Sequence, residues 1–302
     1  MNKIMIAGGG VLGSQIAFQC AYARLETTIW LRSEESVQRA KKKLEALKES
    51  YSQTIAACKN GKMNYLGALD TVGTPITEAD FDLYQSKVDA VMDNIIFETD
   101  MQKAASGQSF IIESISENMD AKKGFYTDLN RYVSDDAVIA TNTSSFLPSD
   151  FRDIIDAPER FIAVHFANNI WIANIAEIMG HSDTSEDTVQ KAAAFANRIN
   201  MIPSVIRKEQ KGYILNSLLI PFLLSALKLW AGEVASFSDI DKTWKLSTGS
   251  KHGPFEIMDT VGVNTVYSVV MTNPSAGQEG TMENLIAKKL RKMIESGSRF
   301  YS

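Results

Sequence analysis

Residues 3–17 read KIMIAGGGVLGSQIA, from Lys3 through the glycine run to Ala17. A short apolar strand, Lys3–Ala7, enters a glycine loop, and an apolar helical pattern follows through Ile16, Ala17, Cys20 and Ala21. Gly8, Gly10 and Gly13 form GxGxxG, with Gly9 adding further freedom. The first glycine permits the tight turn out of the strand. The second lets a pyrophosphate approach the backbone, and the third lets helix and strand pack closely. The helix that opens at Val11 and Leu12 offers unpaired N–H groups and the positive end of its dipole to the phosphates. Glycine-rich turns are common, so the motif alone says little. Here it follows a strand, opens a helix and leads into a second strand over 26–31 (ETTIWL), the context a dinucleotide site requires.

Outward from this unit, residues 33–50 read as a long charged helix with Val37, Ala40, Leu44 and Leu47 on one face. The stretch 51–100 is less regular. Thr77 with Asp80 resembles a capping box for a helix running towards Val91. Strands then resume at Phe110–Glu113, 137–140, 161–165, 176–179 and 203–206, with helices over 120–132 and 185–199. Beyond residue 207 the pattern is helical, including 212–230 and an amphipathic 284–295. This alternation predicts an α/β fold, a Rossmann-type doubly wound sheet over residues 1–200, followed by an all-α C-terminal domain over 201–302 for substrate and dimerisation.

Composition narrows the function classes. With 302 residues, 45% apolar and 22% charged, the chain has the balance of a soluble globular protein of two domains. A net charge of −5 gives no global attraction for nucleic acid or an anionic membrane, so neither is expected as a partner. The N-terminus enters a strand without a signal-peptide core. The most apolar stretch, 214–229, is interrupted by Asn216, Ser217, Pro221, Ser225 and Lys228, and falls short of the roughly 20 residues of a membrane span; it reads as a buried helix. Cys20 and Cys58 form no CxxC pair, which speaks against a disulfide framework or a metal site and suits a reducing cytoplasm.

Of the three histidines, His165 ends the strand FIAVH, at the carboxyl edge where catalytic groups gather in open α/β sheets. Glu177 lies on the next strand, where its carboxylate can fix the imidazole tautomer and stabilise the imidazolium. A structural histidine satisfied in the core is the alternative reading of the same residues.

At this point the sequence resembles the 3-hydroxyacyl-CoA dehydrogenase family, including the 3-hydroxybutyryl-CoA dehydrogenases. The resemblance covers nearly the whole chain and is carried by GGGVLGSQIA (8–17), ESISENMDAKK (113–123), TNTSS (141–145), RFIAVHF (160–166), GYILN (212–216) and GPFEIMD (253–259). It implies a nicotinamide-dependent oxidoreductase with His165 as acid–base group and Glu177 as its orienting carboxylate. It also implies Ser144 and Asn216 as hydrogen-bond donors to the reacting oxygen, and Glu117, Lys122 and Asn168 as contacts to cofactor ribose or nicotinamide. On the residues alone, Ser144 could instead cap a helix suggested by 148–155, and Asn216 could be a buried polar residue with partners of its own. The resemblance implies a small-molecule substrate of the 3-hydroxyacyl-CoA type, in its 3-hydroxy or 3-oxo form. The same chemistry on a hydroxy acid or carnitine, or a non-enzymatic dinucleotide sensor, are the alternatives. A lysine-dependent β-hydroxyacid dehydrogenase is disfavoured, because Gly212 stands where that class has lysine. The family commonly dimerises through its helical domain, so a homodimer is expected.

Three departures from the family pattern bear on ligand choice. The segment after the histidine is Phe166-Ala167-Asn168-Asn169 in place of the usual FFNP, which enlarges the loop beside the substrate. The glycine-rich aromatic ending is reduced to SGSRFYS. The second strand ends Leu31-Arg32-Ser33, without the acid that hydrogen-bonds the adenosine ribose in NAD-specific domains. Arg32 and Ser33 are suited to a 2′-phosphate, so of NAD(H) and NADP(H) the sequence favours NADP(H). The alternative is that Arg32 merely opens a solvated helix and Glu34 or Glu35 meets the ribose. Lys41, Lys42 and Lys43 fall roughly where the family meets CoA, but a solvated helix face explains them equally well.

Overall fold

The computed structural model describes residues 2–63, 65–70 and 77–301. Its strands are β1 (Lys3–Ala7), β2 (Glu26–Trp30), β3 (Ile95–Glu98), β4 (Phe110–Glu113), β5 (Val138–Thr141), β6 (Phe161–Phe166), β7 (Ile175–Met179) and β8 (Ile202–Ile206). They form one sheet in the order β3-β2-β1-β4-β5-β6-β7-β8. Pairings from β3 to β6 are parallel, β6 and β7 are antiparallel, and β7 and β8 are parallel again. The order reverses direction between β1 and β4, which opens a crevice at the carboxyl ends of those strands.

The period of two along each strand sorts side chains to two cores. Ile4 and Ile6 face one side with Ile29, Phe110 and Ile112, packed by α1 (Val11–Tyr22), α2 (Glu34–Lys59) and, further along the chain, Phe195. Met5 and Ala7 face the other with Ile111, Ile139 and Phe161. That face is covered by α4 (Met101–Ala105) and α5 (Met119–Leu129), while α3 (Glu78–Asp89) packs on α2. The helix supplying Phe195 is α6 (Glu186–Arg198), whose ring stacks on Phe110 at 4.4 Å. The predicted capping box is present: Asp80 accepts hydrogen bonds from the Thr77 N–H and hydroxyl, both at 2.7 Å.

By contacts the chain divides into Met1–Ile214 and Leu215–Ser302. The first unit continues past residue 200 because β8 completes the sheet. α7 (Tyr213–Ala231) leads into the second unit, which contains α8 (Phe237–Thr248), α9 (Pro254–Val261), α10 (Val263–Met271) and α11 (Met282–Glu295). Its core gathers Leu227, Phe255, Met258, Ile286, Leu290 and Phe300. Asp241 is buried here and accepts from the N–H groups of Phe255 (2.9 Å) and Glu256 (3.0 Å) at the start of α9. It also accepts from the Tyr301 hydroxyl at 3.0 Å, so the shortened ending is still docked.

Three expectations are corrected. β3 is an additional strand: four residues on the sheet edge, too short to show a period. Residues 148–155 form no α-helix: a 3₁₀ turn, Pro148–Asp150, closed by Asp150 on the Leu147 N–H, is followed by a further turn over 151–154, and the residue at the N-cap is Leu147, not Ser144. The stretch 214–229 is helical but not buried. α7 has 19 residues and a mean hydropathy of 1.7, with 22% of its most apolar window buried. By length and composition alone it could cross a membrane. A helix apolar all round has no polar face to mark which side meets solvent, and Leu218 is 70% exposed.

Candidate active site

The glycine loop follows from β1 meeting α1 head-on. Gly8 has φ +111°, and a Cβ there would stand 2.5 Å from the Ser114 carbonyl oxygen on the β4 side of the crevice. A Cβ on Gly13 would meet the Gly8 carbonyl at 2.3 Å, so this glycine lets helix and turn close together. Gly10 faces open space and caps α1 without a side-chain hydrogen bond, which leaves the first N–H groups of the helix unpaired by side chains. Val11 is exposed beside it, and Leu12 packs against the sheet core.

A cleft of about 350 Å³ adjoins the loop, lined by Gly8, Gly9 and Gly10, by Trp30, Leu31 and Arg32 at the end of β2, by Ser36, Arg39 and Lys43 on α2, and by residues 114–116. Among the described residues, no carboxylate lines it. Leu31 is buried with its side chain against Gly9, while Glu34 and Glu35 occupy the first turn of α2 outside the lining. Lys43 donates to the Gly9 carbonyl at 2.9 Å, and Arg39 donates to the Ser36 hydroxyl at 2.7 Å. Ser33 serves as the N-cap of α2, accepting from the Ser36 N–H, and does not line the cleft. The Trp30 indole N–H is buried and has no partner among the described residues. Open space at Gly10, a free helix N-terminus and cationic walls fit the phosphates of a dinucleotide.

The second cluster lies where β6 meets β7. Antiparallel pairing sets His165 directly opposite Glu177, and Nδ1 of the imidazole lies 2.9 Å from Glu177 Oε2. Both side chains are almost fully buried. Glu177 Oε1 accepts the Ile214 N–H at 2.8 Å. With Nδ1 committed to the carboxylate, Nε2 is the nitrogen left for exchange with a substrate oxygen. The imidazole lies on the ring of Tyr213, centroids 4.4 Å apart and planes 14° from parallel.

A third network holds the TNTSS loop. Glu113 on β4 is fully buried and binds Lys122 Nζ (2.6 Å), the Tyr126 hydroxyl (3.0 Å) and the Thr141 hydroxyl (2.8 Å). Lys122 also reaches Glu117 Oε2 at 3.2 Å. Glu117 Oε1 accepts the Thr143 hydroxyl and the N–H groups of Ser144 (3.0 Å) and Ser145 (2.9 Å). Burial opposes the ionised form of Glu117, yet the Thr143 hydroxyl, the Lys122 ammonium and the Ser145 N–H outweigh it and hold the carboxyl below its ordinary range.

Lys122, 1% exposed, is paired with two carboxylates, Glu113 and Glu117. Ser144 is exposed. Asn168 is exposed in the loop after β6, which is pinned by Gln15 of α1 accepting the Asn169 N–H at 2.9 Å. Asn216 is half-buried on α7 in the second unit. The residues that sequence reasoning missed are Ser36, Arg39 and Lys43 in the cleft, and Tyr213. The spacing 36, 39, 43 does mark one helix face, but only the position of α2 beside the glycine loop shows that this face meets a ligand. Among the described residues, no group of three metal-ligating side chains gathers.

A dinucleotide crevice joined to a buried histidine–carboxylate pair on one sheet defines a nicotinamide-dependent oxidoreductase of the Rossmann class. Residues 3–210 match the family model described as 3-hydroxyacyl-CoA dehydrogenase, NAD binding domain, and residues 212–300 match 3-hydroxyacyl-CoA dehydrogenase, C-terminal domain. The chain belongs to the 3-hydroxyacyl-CoA dehydrogenase family. The mitochondrial hydroxyacyl-coenzyme A dehydrogenase of Mus musculus is 28% identical over 311 residues, covering 100% of this chain and 91% of that one. The 3-hydroxybutyryl-CoA dehydrogenase of Clostridioides difficile is 29% identical over 183 residues, 60% of this chain and 65% of the relative. A solved diketoreductase, described by its substrate-directed dual catalysis of dicarbonyl compounds, is 31% identical with a TM-score of 0.84, covering 100% of this chain and 98% of that one.

The depressed Glu117 carboxyl sets an acid limit. Its contribution to stability is complete above the ordinary glutamate value of about pH 4.3 and is lost as pH falls through its lower folded-state value. Urea unfolding between about pH 3 and 6 should show stability falling on the acid side, with a shallower fall in Glu117→Gln. Equal slopes in both proteins would contradict the assignment.

Proposed function

We propose that this protein is an NADP(H)-preferring reductase of 3-oxoacyl thioesters, forming the 3-hydroxyacyl product, with His165 as proton donor. The observation that carries the reading is the 2.9 Å contact between His165 Nδ1 and Glu177, which leaves Nε2 as the exchangeable site. When bound, the nicotinamide supplies or accepts hydride at the carbon bearing the reacting oxygen. His165 delivers its proton to that oxygen on reduction and takes it back on oxidation, and Glu177 stabilises the imidazolium between these events. Ser144, on the loop fixed by Glu117, and Asn216 are assigned as donors to the same oxygen, a pre-placed stabilisation of its developing charge. Gly8, Gly10, Val11, Leu12 and Gly13 are assigned to the dinucleotide phosphates, and Glu117 and Asn168 to the nicotinamide half.

Cofactor preference rests on charge. The cleft wall carries Arg32, Arg39 and Lys43 with Ser36 and, among the described residues, no carboxylate to repel a 2′-phosphate. Substrate class rests on a shared chemical unit. The diketoreductase relative is described as acting on dicarbonyl compounds, and a 3-oxoacyl thioester is itself a 1,3-dicarbonyl. A dicarbonyl substrate without CoA is the second reading, favoured by Ala167 and Asn169 in the loop beside His165, where the family has a ring and a proline.

The apolar exposed residues of α7, Leu218 and Leu229 among them, support a homodimer. Sedimentation velocity should find two chains together, and Leu218→Lys should shift the population to monomer. A wild-type monomer at high micromolar concentration would refute this.

The functional reading is tested by following reduced-cofactor absorbance with acetoacetyl-CoA, a 3,5-diketo ester and 3-dehydrocarnitine, each with NADPH and NADH. The expected result is acetoacetyl-CoA turned over fastest, with NADPH ahead of NADH by about 10-fold or more in kcat/KM, the scale of charged hydrogen bonds to one phosphate. Preference for NADH would overturn the cofactor assignment, and preference for the ester would move the substrate to the second reading.

A further inference from the structure

Tyr213 lies between the His165 imidazole and the TNTSS loop, yet no reaction step has been assigned to it. Its ring supports the His165 imidazole at 4.4 Å, nearly parallel. Its hydroxyl donates to the Thr143 carbonyl at 2.8 Å, the residue before Ser144. The N–H of the next residue, Ile214, donates to Glu177 Oε1 at 2.8 Å. The side chain is fully buried. Burial and the carboxylates of Glu117, Glu177, Glu113 and Glu209 push its phenol well above the ordinary tyrosine range, so it remains a neutral donor.

The backbone shows that this placement is imposed. Tyr213 has φ +55°, a left-handed conformation that a bulky aromatic residue rarely adopts, directly after Gly212 at φ +83°. Such a conformation persists where the surroundings over-determine it, and these clusters of constraint gather at functional sites. Here the constraints are identified: a ring stack, a hydroxyl–carbonyl bond and a backbone–carboxylate bond, all made by one turn.

We propose that Tyr213 is a positioning residue for the His165–Glu177 pair and the Ser144 loop. Its ring fixes the plane of the imidazole and hence the direction of Nε2. Its hydroxyl fixes the distance between that nitrogen and the loop that supplies the second donor. The π face also attracts the ring once it is positively charged. The proposal rests on His165 being the proton donor, and the test separates the two claims.

Tyr213→Phe keeps the ring and loses the hydroxyl, while Tyr213→Leu loses both. With acetoacetyl-CoA or whichever dicarbonyl the enzyme turns over, Tyr213→Leu should lower kcat by about 10- to 100-fold, the scale of a small misplacement of reacting groups. Its KM and its dinucleotide Kd, read by fluorescence titration, should stay within a few fold. Tyr213→Phe, which keeps the stack but leaves the Thr143 carbonyl without its donor, should give a kcat between those of the wild type and Tyr213→Leu. Unchanged kcat in Tyr213→Leu, or loss of dinucleotide binding in step with kcat, would overturn the proposal. If His165→Gln retained wild-type turnover, the proton-donor reading itself would fall instead.

A measurement on the wild type stands even if Tyr213→Leu does not fold. The protein has three histidines, so the imidazole signal lost in His165→Gln identifies His165 by NMR. That signal should lie upfield of the other two through the ring current of Tyr213 and keep its position in Tyr213→Phe. An unshifted His165 signal in the wild type would refute the stack in solution.

Discussion

The site depends on one cross-strand pair. β6 and β7 form the one antiparallel pairing among the described strands, and antiparallel register sets two residues directly opposite each other on one face. His165 and Glu177 occupy such opposing positions, buried together. A buried carboxylate without a partner would be costly, and so would a buried imidazolium. Each offsets the cost of the other, and the Ile214 N–H satisfies the second carboxylate oxygen. A slip of one residue in either strand would turn that strand's side chain to the opposite face and part the pair, so the sheet register itself holds His165 and Glu177 together.

The parallel half of the sheet places the ligand. The reversal of strand order at β1 and β4 opens the crevice, and the glycines let α1 begin against it without side chains in the way. From β4 the buried Glu113 fixes Lys122, which steadies Glu117, which in turn holds the backbone of Ser144 and Ser145. Two separate networks thus reach the TNTSS loop, one from Glu117 and one from Tyr213. His165 and Glu177 rest on paired strands, and the loop carrying Ser144 is held from two sides, as tight positioning demands.

Much of this was legible in the residues. The glycine spacing followed an apolar strand and preceded a helix, and β6 and β7 appeared as short apolar runs carrying one titratable residue each. Other features left no periodic trace. β3 has four residues at a sheet edge, and α7 is apolar on all sides, so its exposed face is not encoded as a stripe. Lys122 looks like any surface lysine in sequence; its burial follows from Glu113, nine positions earlier, facing it from the adjacent strand. Lys43 likewise read as one of three charges on a solvated face, until the packing of α2 brought it within 2.9 Å of the Gly9 carbonyl. Tyr213 is the plainest case. Nothing in GYILN indicates that its ring will lie on an imidazole 48 residues earlier, since that contact arises from a left-handed turn ending the first unit.

The central claim is that His165, held by Glu177, moves the proton in concert with hydride transfer. Its most direct test is single-turnover reduction with 4-deuterated and unlabelled NADPH in the wild type, His165→Gln and Glu177→Gln. The account predicts hydride transfer slowed by roughly 10² to 10⁴ in His165→Gln and less in Glu177→Gln. Dinucleotide affinity should be retained, and the deuterium effect should be fully expressed in both variants because chemistry has become limiting. A hydride-transfer rate in His165→Gln equal to that of the wild type would contradict it.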